Sequence, residues 1–236
     1  MKHLPDFESF CKLAAGVHLV PVYRRLLADA LTPVSAFHKI DAGAAACLFE
    51  SVIGGEKVGR YSFLAAEPFL QIEARDREVV VLSEAGRETL KCDDPLRELK
   101  RRVDAIRSAT LPELPPFTSG AVGYAGYDVV RYTESLPNAP ADDRELPDLA
   151  FAFYDRMIVF DHVNKTNVVV AMARLDKFGD DLKAAYADAQ RRADALVERL
   201  EAPGNRLPPA DIPRAAATPM QYDGNFTQRG LEQAVQ

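Results

Sequence analysis

The stretch at 179–201 constrains the fold most. Leu182, Tyr186, Ala189, Ala193, Leu196, Val197 and Leu200 recur there at spacings of three and four, and Pro203-Gly204 closes the run. That pattern is an apolar stripe along one side of a long helix, which must bury that side. Before it come three strand-like runs at 149–154, 157–162 and 167–173, the last two close enough to form a hairpin. Runs at 69–75 and 78–82 form a second hairpin through Asp76-Arg77, and 34–41 and 45–52 also read as strands. Residues 1–16 predict a short helix capped by Asp6 and stopped at Gly16. A second helix is expected from Pro21, with Val22, Leu26, Leu27 and Ala30 on one face and Thr32-Pro33 breaking it. Asp94-Pro95 caps a third, continued by Leu96, Leu99, Val103 and Ile106. Residues 111–117 are a proline-rich connection, and 119–128 are glycine-rich and extended. Helices first, then strands with few interspersed helices, give an antiparallel α+β pattern rather than alternating βαβ.

Residues 202–219 carry Pro203, Pro208, Pro209, Pro213 and Pro219, the composition of an extended linker. Thr227 then caps a new helix that has run one or two turns at Gln236. Isolated helices need about 12–15 residues or tertiary support, so a longer polypeptide interrupted here is the expectation, with a frayed C-terminal tail as the alternative reading.

The formal charge of -6, from 29 basic and 35 acidic residues, excludes binding that rests on phosphate neutralisation. The one basic run, Lys100-Arg101-Arg102, falls in a helical stretch. With 47% hydrophobic and 27% charged residues the chain has globular composition. No apolar run has the roughly 18–20 residues of a membrane span, and the first residues have no signal-peptide pattern. Cys11, Cys47 and Cys92 are odd in number and form no CxxC, which suits a reduced, cytoplasmic protein.

Chemistry-bearing motifs are few. His3, His18, His38 and His162 are scattered without ligand spacing, and Asp142-Asp143 and Asp180-Asp181 read as solvated turns or helix starts. Gly120, Gly123 and Gly126 are spaced by three, unlike GxGxxG, and read as positions where backbones pack closely. No metal site is expected. The informative stretch is Cys47-Leu48-Phe49-Glu50-Ser51-Val52, an apolar strand ending in a carboxylate and a hydroxyl. Gly54-Gly55-Glu56-Lys57 and Arg60-Tyr61-Ser62-Phe63 follow it. Polar groups gathered beside an apolar wall suit a small amphiphile: Glu50 could accept from an ammonium, Ser51 donate or accept, and Arg60 fork onto a carboxylate.

Several of these segments together resemble the N-terminal half of anthranilate synthase component I. They are Val20-Pro21-Val22-Tyr23-Arg24-Arg25, Thr32-Pro33-Val34-Ser35-Ala36-Phe37, Leu48-Phe49-Glu50-Ser51, Gly54-Gly55-Glu56-Lys57 and Arg60-Tyr61-Ser62-Phe63. Pro116-Phe117, Gly120 through Asp128, Leu146-Pro147-Asp148 and Phe160-Asp161-His162 complete the set. The resemblance runs from about residue 5 to the end. It implies a sandwich-like arrangement: an antiparallel β-sandwich-like core with flanking helices. It implies residues 1–201 as a tryptophan-binding regulatory domain, 202–225 as a linker and 226–236 as the start of a chorismate-binding catalytic domain. The family makes anthranilate and pyruvate from chorismate and glutamine-derived ammonia, with Mg²⁺ at the chorismate site and a glutamine amidotransferase partner. Its catalytic and Mg²⁺ residues lie in the other half, so the resemblance gives no residue here a catalytic role, and this chain alone is expected to be inactive. For L-tryptophan feedback it implies Leu48, Glu50 and Ser51, with Arg60 and Ser62 nearby; Phe49 departs from the family's leucine. The aminodeoxychorismate synthase large component shares the Gly-Tyr…Tyr-Asp region, and a free-standing amino-acid-binding module is a further reading.

Overall fold

A computed structural model describes residues 2–27, 30–41, 43, 45–50, 59–139, 141–203 and 227–235. The chain forms two compact units, Met1–Gly204 and Asn205–Gln236. The first holds two five-stranded sheets. Sheet A has the order β1 (Leu19–Leu26), β10 (Thr166–Arg174), β9 (Arg156–Asp161), β3 (Tyr61–Ala65), β2 (Cys47–Glu50). Sheet B has the order β6 (Gly86–Lys91), β5 (Glu78–Ser83), β4 (Leu70–Arg75), β8 (Leu149–Tyr154), β7 (Gly120–Ala125). Every pairing between these strands is antiparallel. The expected α+β class with a sandwich-like core is therefore what forms.

Alternation along the strands sets the layers. Val168, Val170 and Met172 of β10 and Met157 and Val159 of β9 face Ala152 and Tyr154 of β8, which makes the core between the sheets. The opposite face of sheet A, with Val20, Val22, Ala171 and Ala173, lies under α5 (Leu182–Glu201) and Phe10 of α1 (Phe7–Leu13). Further along it, Leu64, Ile158 and Phe160 meet α2 (Pro33–Ile40) and Leu196, Val197 and Leu200 of α5. Each of those buried leucines and valines contributes roughly 1.5–3 kcal/mol. The outer face of sheet B packs on α3 (Pro95–Asp104) and a 3₁₀ helix over Tyr127–Tyr132. A short α4 (Leu175–Phe178) joins β10 to α5. Asp6 and Asp94 cap α1 and α3 as expected.

Two elements differ from the sequence expectation. The expected helix from Pro21 is the strand β1, and the expected strand at 34–41 is the helix α2. In β1 the N–H and C=O of Tyr23 turn outward to Leu4, at 2.7 and 2.9 Å. By alternation Pro21 also faces outward, so its missing N–H removes no bond to β10, and proline is tolerated in this strand. Thr32-Pro33 begins a helix rather than ending one. The Thr32 hydroxyl accepts from the Ser35 N–H at 3.1 Å, the Ser35 hydroxyl accepts from the Thr32 N–H at 2.9 Å, and Pro33 opens the first turn. Strands β3 and β6 were not anticipated: β3 is short, and β6 is exposed over most of its length.

In the second unit, α6 spans Gln228–Val235, and the Thr227 hydroxyl accepts from the Gly230 N–H at 3.1 Å, the cap expected for it. No described helix is long and apolar enough to cross a membrane.

Candidate functional site at the margin of sheet A

Strand β2 ends at Glu50, whose direct partner across the ladder is Ser62; Leu48 pairs with Leu64. Cross-strand partners share a face, and period two puts Leu48 on it as well. That face is the one covered by α2 and α5, because Leu48 and Leu64 join their cluster. The structure thus brings together three of the residues singled out from sequence, namely Leu48, Glu50 and Ser62. Ser51 and the Gly54-Gly55-Glu56-Lys57 turn lie outside the described residues.

Exposure separates the three. Glu50 is exposed, Leu48 is half-buried, and Ser62 is 1% exposed. The buried Ser62 hydroxyl is hydrogen-bonded to Nε2 of His162 at 2.7 Å, and the His162 ring stacks on Phe160 with centroids 6.4 Å apart. Sequence reasoning set His162 aside as structural. Its available signal was position: it directly follows a strand that ends in Phe160-Asp161, beside the strand that carries Ser62.

Arg60 uses its fork within the protein. Its Nε and Nη2 donate to the two oxygens of Asp161, at 3.3 and 3.0 Å. Asp161 also accepts from the N–H groups of Val163 and Asn164 and from the Asn164 amide. Burial pushes the Asp161 carboxyl up, but Arg60 and the Asn164 donors outweigh it and hold it below its ordinary value. The same hydrogen bond raises the Arg60 guanidinium. Arg60 also lies 4.8 Å from the centroid of the Tyr61 ring. A ligand carboxylate at Arg60 would compete with Asp161 for that fork.

The other face of β2 and β3 lines an apolar groove of about 360 Å³, walled by Cys47, Phe49, Phe63, Phe117, Phe151 and Met157. Burial pushes the Cys47 thiol up, which leaves it a neutral wall group. All three cysteines are free thiols. A separate cleft of about 650 Å³ is lined by a mixture of charged and apolar groups, among them several ion-paired side chains. Within that lining Lys177 reaches Glu84 at 2.5 Å and Arg192 reaches Asp188 at 2.7 Å, while Arg174 reaches Asp176 outside it at 2.8 Å. Among the described residues no three of His, Cys, Asp and Glu converge as metal ligands.

Residues 45–229 match the family described as chorismate binding enzyme. Anthranilate synthase component 1 of Acetivibrio thermocellus is 36% identical over 193 residues, 81% of this chain and 38% of that one. The Synechocystis protein of the same name is 36% identical over 223 residues, 93% of this chain and 43% of that one. The crystal structure of anthranilate synthase component I from Streptococcus pneumoniae superposes with a TM-score of 0.52 at 25% identity, over 77% of this chain and 37% of that one. The chain thus spans about two-fifths of the length of these relatives.

Proposed function

The chain belongs to the chorismate binding enzyme family, and on that footing we propose that it forms the amino-acid-sensing part of an anthranilate synthase component I. The observation that carries this reading is the pairing of Glu50 with Ser62 beside Leu48. An exposed carboxylate at a strand end, next to an apolar side chain, suits the ammonium and the hydrocarbon body of an amino acid. In this reading L-tryptophan binds at Leu48, Glu50 and Ser51, with Arg60 and Ser62 behind them. Residues 1–201 are the sensing domain, 202–225 a linker, and 226–236 correspond to the opening of the chorismate-binding part. The full enzyme would make anthranilate and pyruvate from chorismate with Mg²⁺ and ammonia from a glutamine amidotransferase subunit. Tryptophan bound here would act on the distant chorismate site as a coupling free energy. The free thiols suit the cytoplasm.

The test is a calorimetric titration of the chain with L-tryptophan, alongside indole emission, which is unobscured because the chain contains no Trp. A charge-assisted hydrogen bond is worth about 1.5–3 kcal/mol, so Glu50→Gln is expected to weaken binding by about tenfold or more. A null titration of the unsubstituted chain, or binding indifferent to Glu50→Gln, refutes the site. With chorismate, ammonium and Mg²⁺ the chain alone is expected to yield no anthranilate fluorescence.

A further inference from the structure

The chain crosses between sheets A and B from β3 to β4 and again, through Asp155, from β8 to β9. The cleft of about 650 Å³ opens at this corner, and α4 and α5 complete its wall. Its size lies within the range of about 300–1,000 Å³ of small-molecule sites. Strand β9 runs from Arg156 at the cleft to Asp161 beside Arg60, and its six residues span about 17 Å. The cleft is thus separate from the margin that carries Glu50 and Ser62.

The lining has four cationic and four anionic side chains, so it carries no net charge. These groups are not equally satisfied. Arg192 spends Nε on Asp188 and Nη2 on the Met172 carbonyl. Glu67 spends one oxygen on Arg199 at 2.8 Å, and its other stands 3.4 Å from Arg156. Asp155, whose side chain is only 8% exposed, lies 3.1 Å from Nη1 of Arg192 and 3.9 Å from Nε of Arg156. Neither contact is a hydrogen bond: those two nitrogens are buried and have no hydrogen-bond partner among the described residues. Buried polar groups ordinarily find partners. Here unspent guanidinium N–H groups and a buried carboxylate stand side by side at the wall of an open cleft. Phe69, Leu82 and Phe178 supply apolar lining, and the Arg174 guanidinium lies 4.4 Å from the centroid of the Phe69 ring.

We infer that this cleft is a binding site for a zwitterionic amino acid with an aromatic side chain. The ligand carboxylate takes the open N–H groups of Arg156 and Arg192. Its ammonium donates to Asp155, and its ring packs on Phe69 and Phe178. A simple anion at the arginines would face Asp155 with like charge, and a simple amine at Asp155 would face two guanidinium groups. A molecule with both charges on one carbon satisfies each, and its zero net charge matches that of the lining. This site does not depend on the reading of the β2 margin.

The test is a calorimetric titration of the intact 236-residue chain with L-phenylalanine, hydrocinnamate and phenethylamine. L-Phenylalanine is expected to bind with a Kd of about 1 mM or tighter. Hydrocinnamate lacks the ammonium and phenethylamine lacks the carboxylate, so each should bind at least about tenfold more weakly. Arg156→Gln and Asp155→Asn are each expected to weaken phenylalanine binding by about tenfold or more, with melting curves by circular dichroism to show that they fold. The two analogues need no variant, so they decide the matter even where Asp155→Asn unfolds. Absence of saturable heat with L-phenylalanine up to about 10 mM overturns the inference. So does hydrocinnamate binding as tightly as phenylalanine. Binding that survives Arg156→Gln but is lost in Glu50→Gln places the ligand at β2 and overturns it as well.

Discussion

Replacing Gly123 by alanine should separate β7 from β8. A Cβ at this position would stand 1.9 Å from the Ala150 carbonyl oxygen, 2.6 Å from Phe151 Cα and 2.8 Å from the Ala150 carbonyl carbon. All three are backbone atoms and cannot rotate away. Ordinary contact begins near 3.4 Å, so the strands must part locally by about 1.5 Å, the difference between 3.4 and 1.9. That displacement takes the flanking bonds of Val122 and Tyr124 to β8 beyond hydrogen-bonding distance. Two lost bonds at a half-exposed strand cost about 0.5–1.5 kcal/mol each, and overpacking against fixed neighbours adds about 1–3 kcal/mol. Alanine stiffens the unfolded chain and returns about 0.4–1 kcal/mol. The expected net loss is about 3 kcal/mol, the middle of a range of about 1–5.5 kcal/mol. For a domain of this size that lowers the melting temperature by roughly 5–10 °C. Urea unfolding followed by circular dichroism reads the loss directly. Gly126→Ala is the control, because its Cβ would meet one atom, the Asp148 carbonyl oxygen, at 3.3 Å. A Gly123→Ala protein within about 0.5 kcal/mol of the parent, or one more stable than Gly126→Ala, would refute this reasoning.

Two further outcomes follow from local geometry. Thr32→Ala removes the hydroxyl that accepts from Ser35 N–H and should cost about 1 kcal/mol in denaturant unfolding, with Thr32→Ser retaining most of it. Asp161→Asn keeps the shape but loses the charge that Arg60 and the Asn164 donors stabilise. Arg60 is half exposed, so its pair adds little through solvent, and the expected loss at neutral pH is about 1–2 kcal/mol. Because the folded-state value of Asp161 is depressed, its contribution is complete above the unfolded carboxylate value of about 3.9. It disappears as pH falls through the lower folded value. The stability gap between parent and Asp161→Asn should therefore close below about pH 4; a gap constant with pH would contradict this origin.

Sequence by itself determined those elements whose signal is local. The stripe of α5 is one-sided, and its Ala185, Ala189 and Ala193 are fully buried on sheet A. The β4–β5 hairpin is carried by Asp76-Arg77, with Asp76 at positive φ. The caps at Asp6, Asp94 and Thr227 need only a side-chain oxygen near the first free N–H groups. Gly123 was read as a close-packing glycine, and the Cβ clash at Ala150 bears this out.

Only tertiary structure decided the rest. Val20 through Arg25 has spacing that serves a helix as readily as a strand. It became β1 because β10 offers a ladder on one side and Leu4, which accepts from the Tyr23 N–H and donates to the Tyr23 carbonyl, pairs with the outward groups on the other. Thr32-Pro33 can end one helix or begin another; Ser35, three residues on, settles it through the capping box. The site was legible in part. Period two placed Leu48 and Glu50 on one face, but pairing Glu50 with Ser62 requires the β2–β3 register, and Ser62 finds His162 a hundred positions away through β9. No spacing rule reaches that far. Local sequence sets the backbone preferences of each segment, whereas strand partners are chosen by which ladder closes and which apolar face it buries.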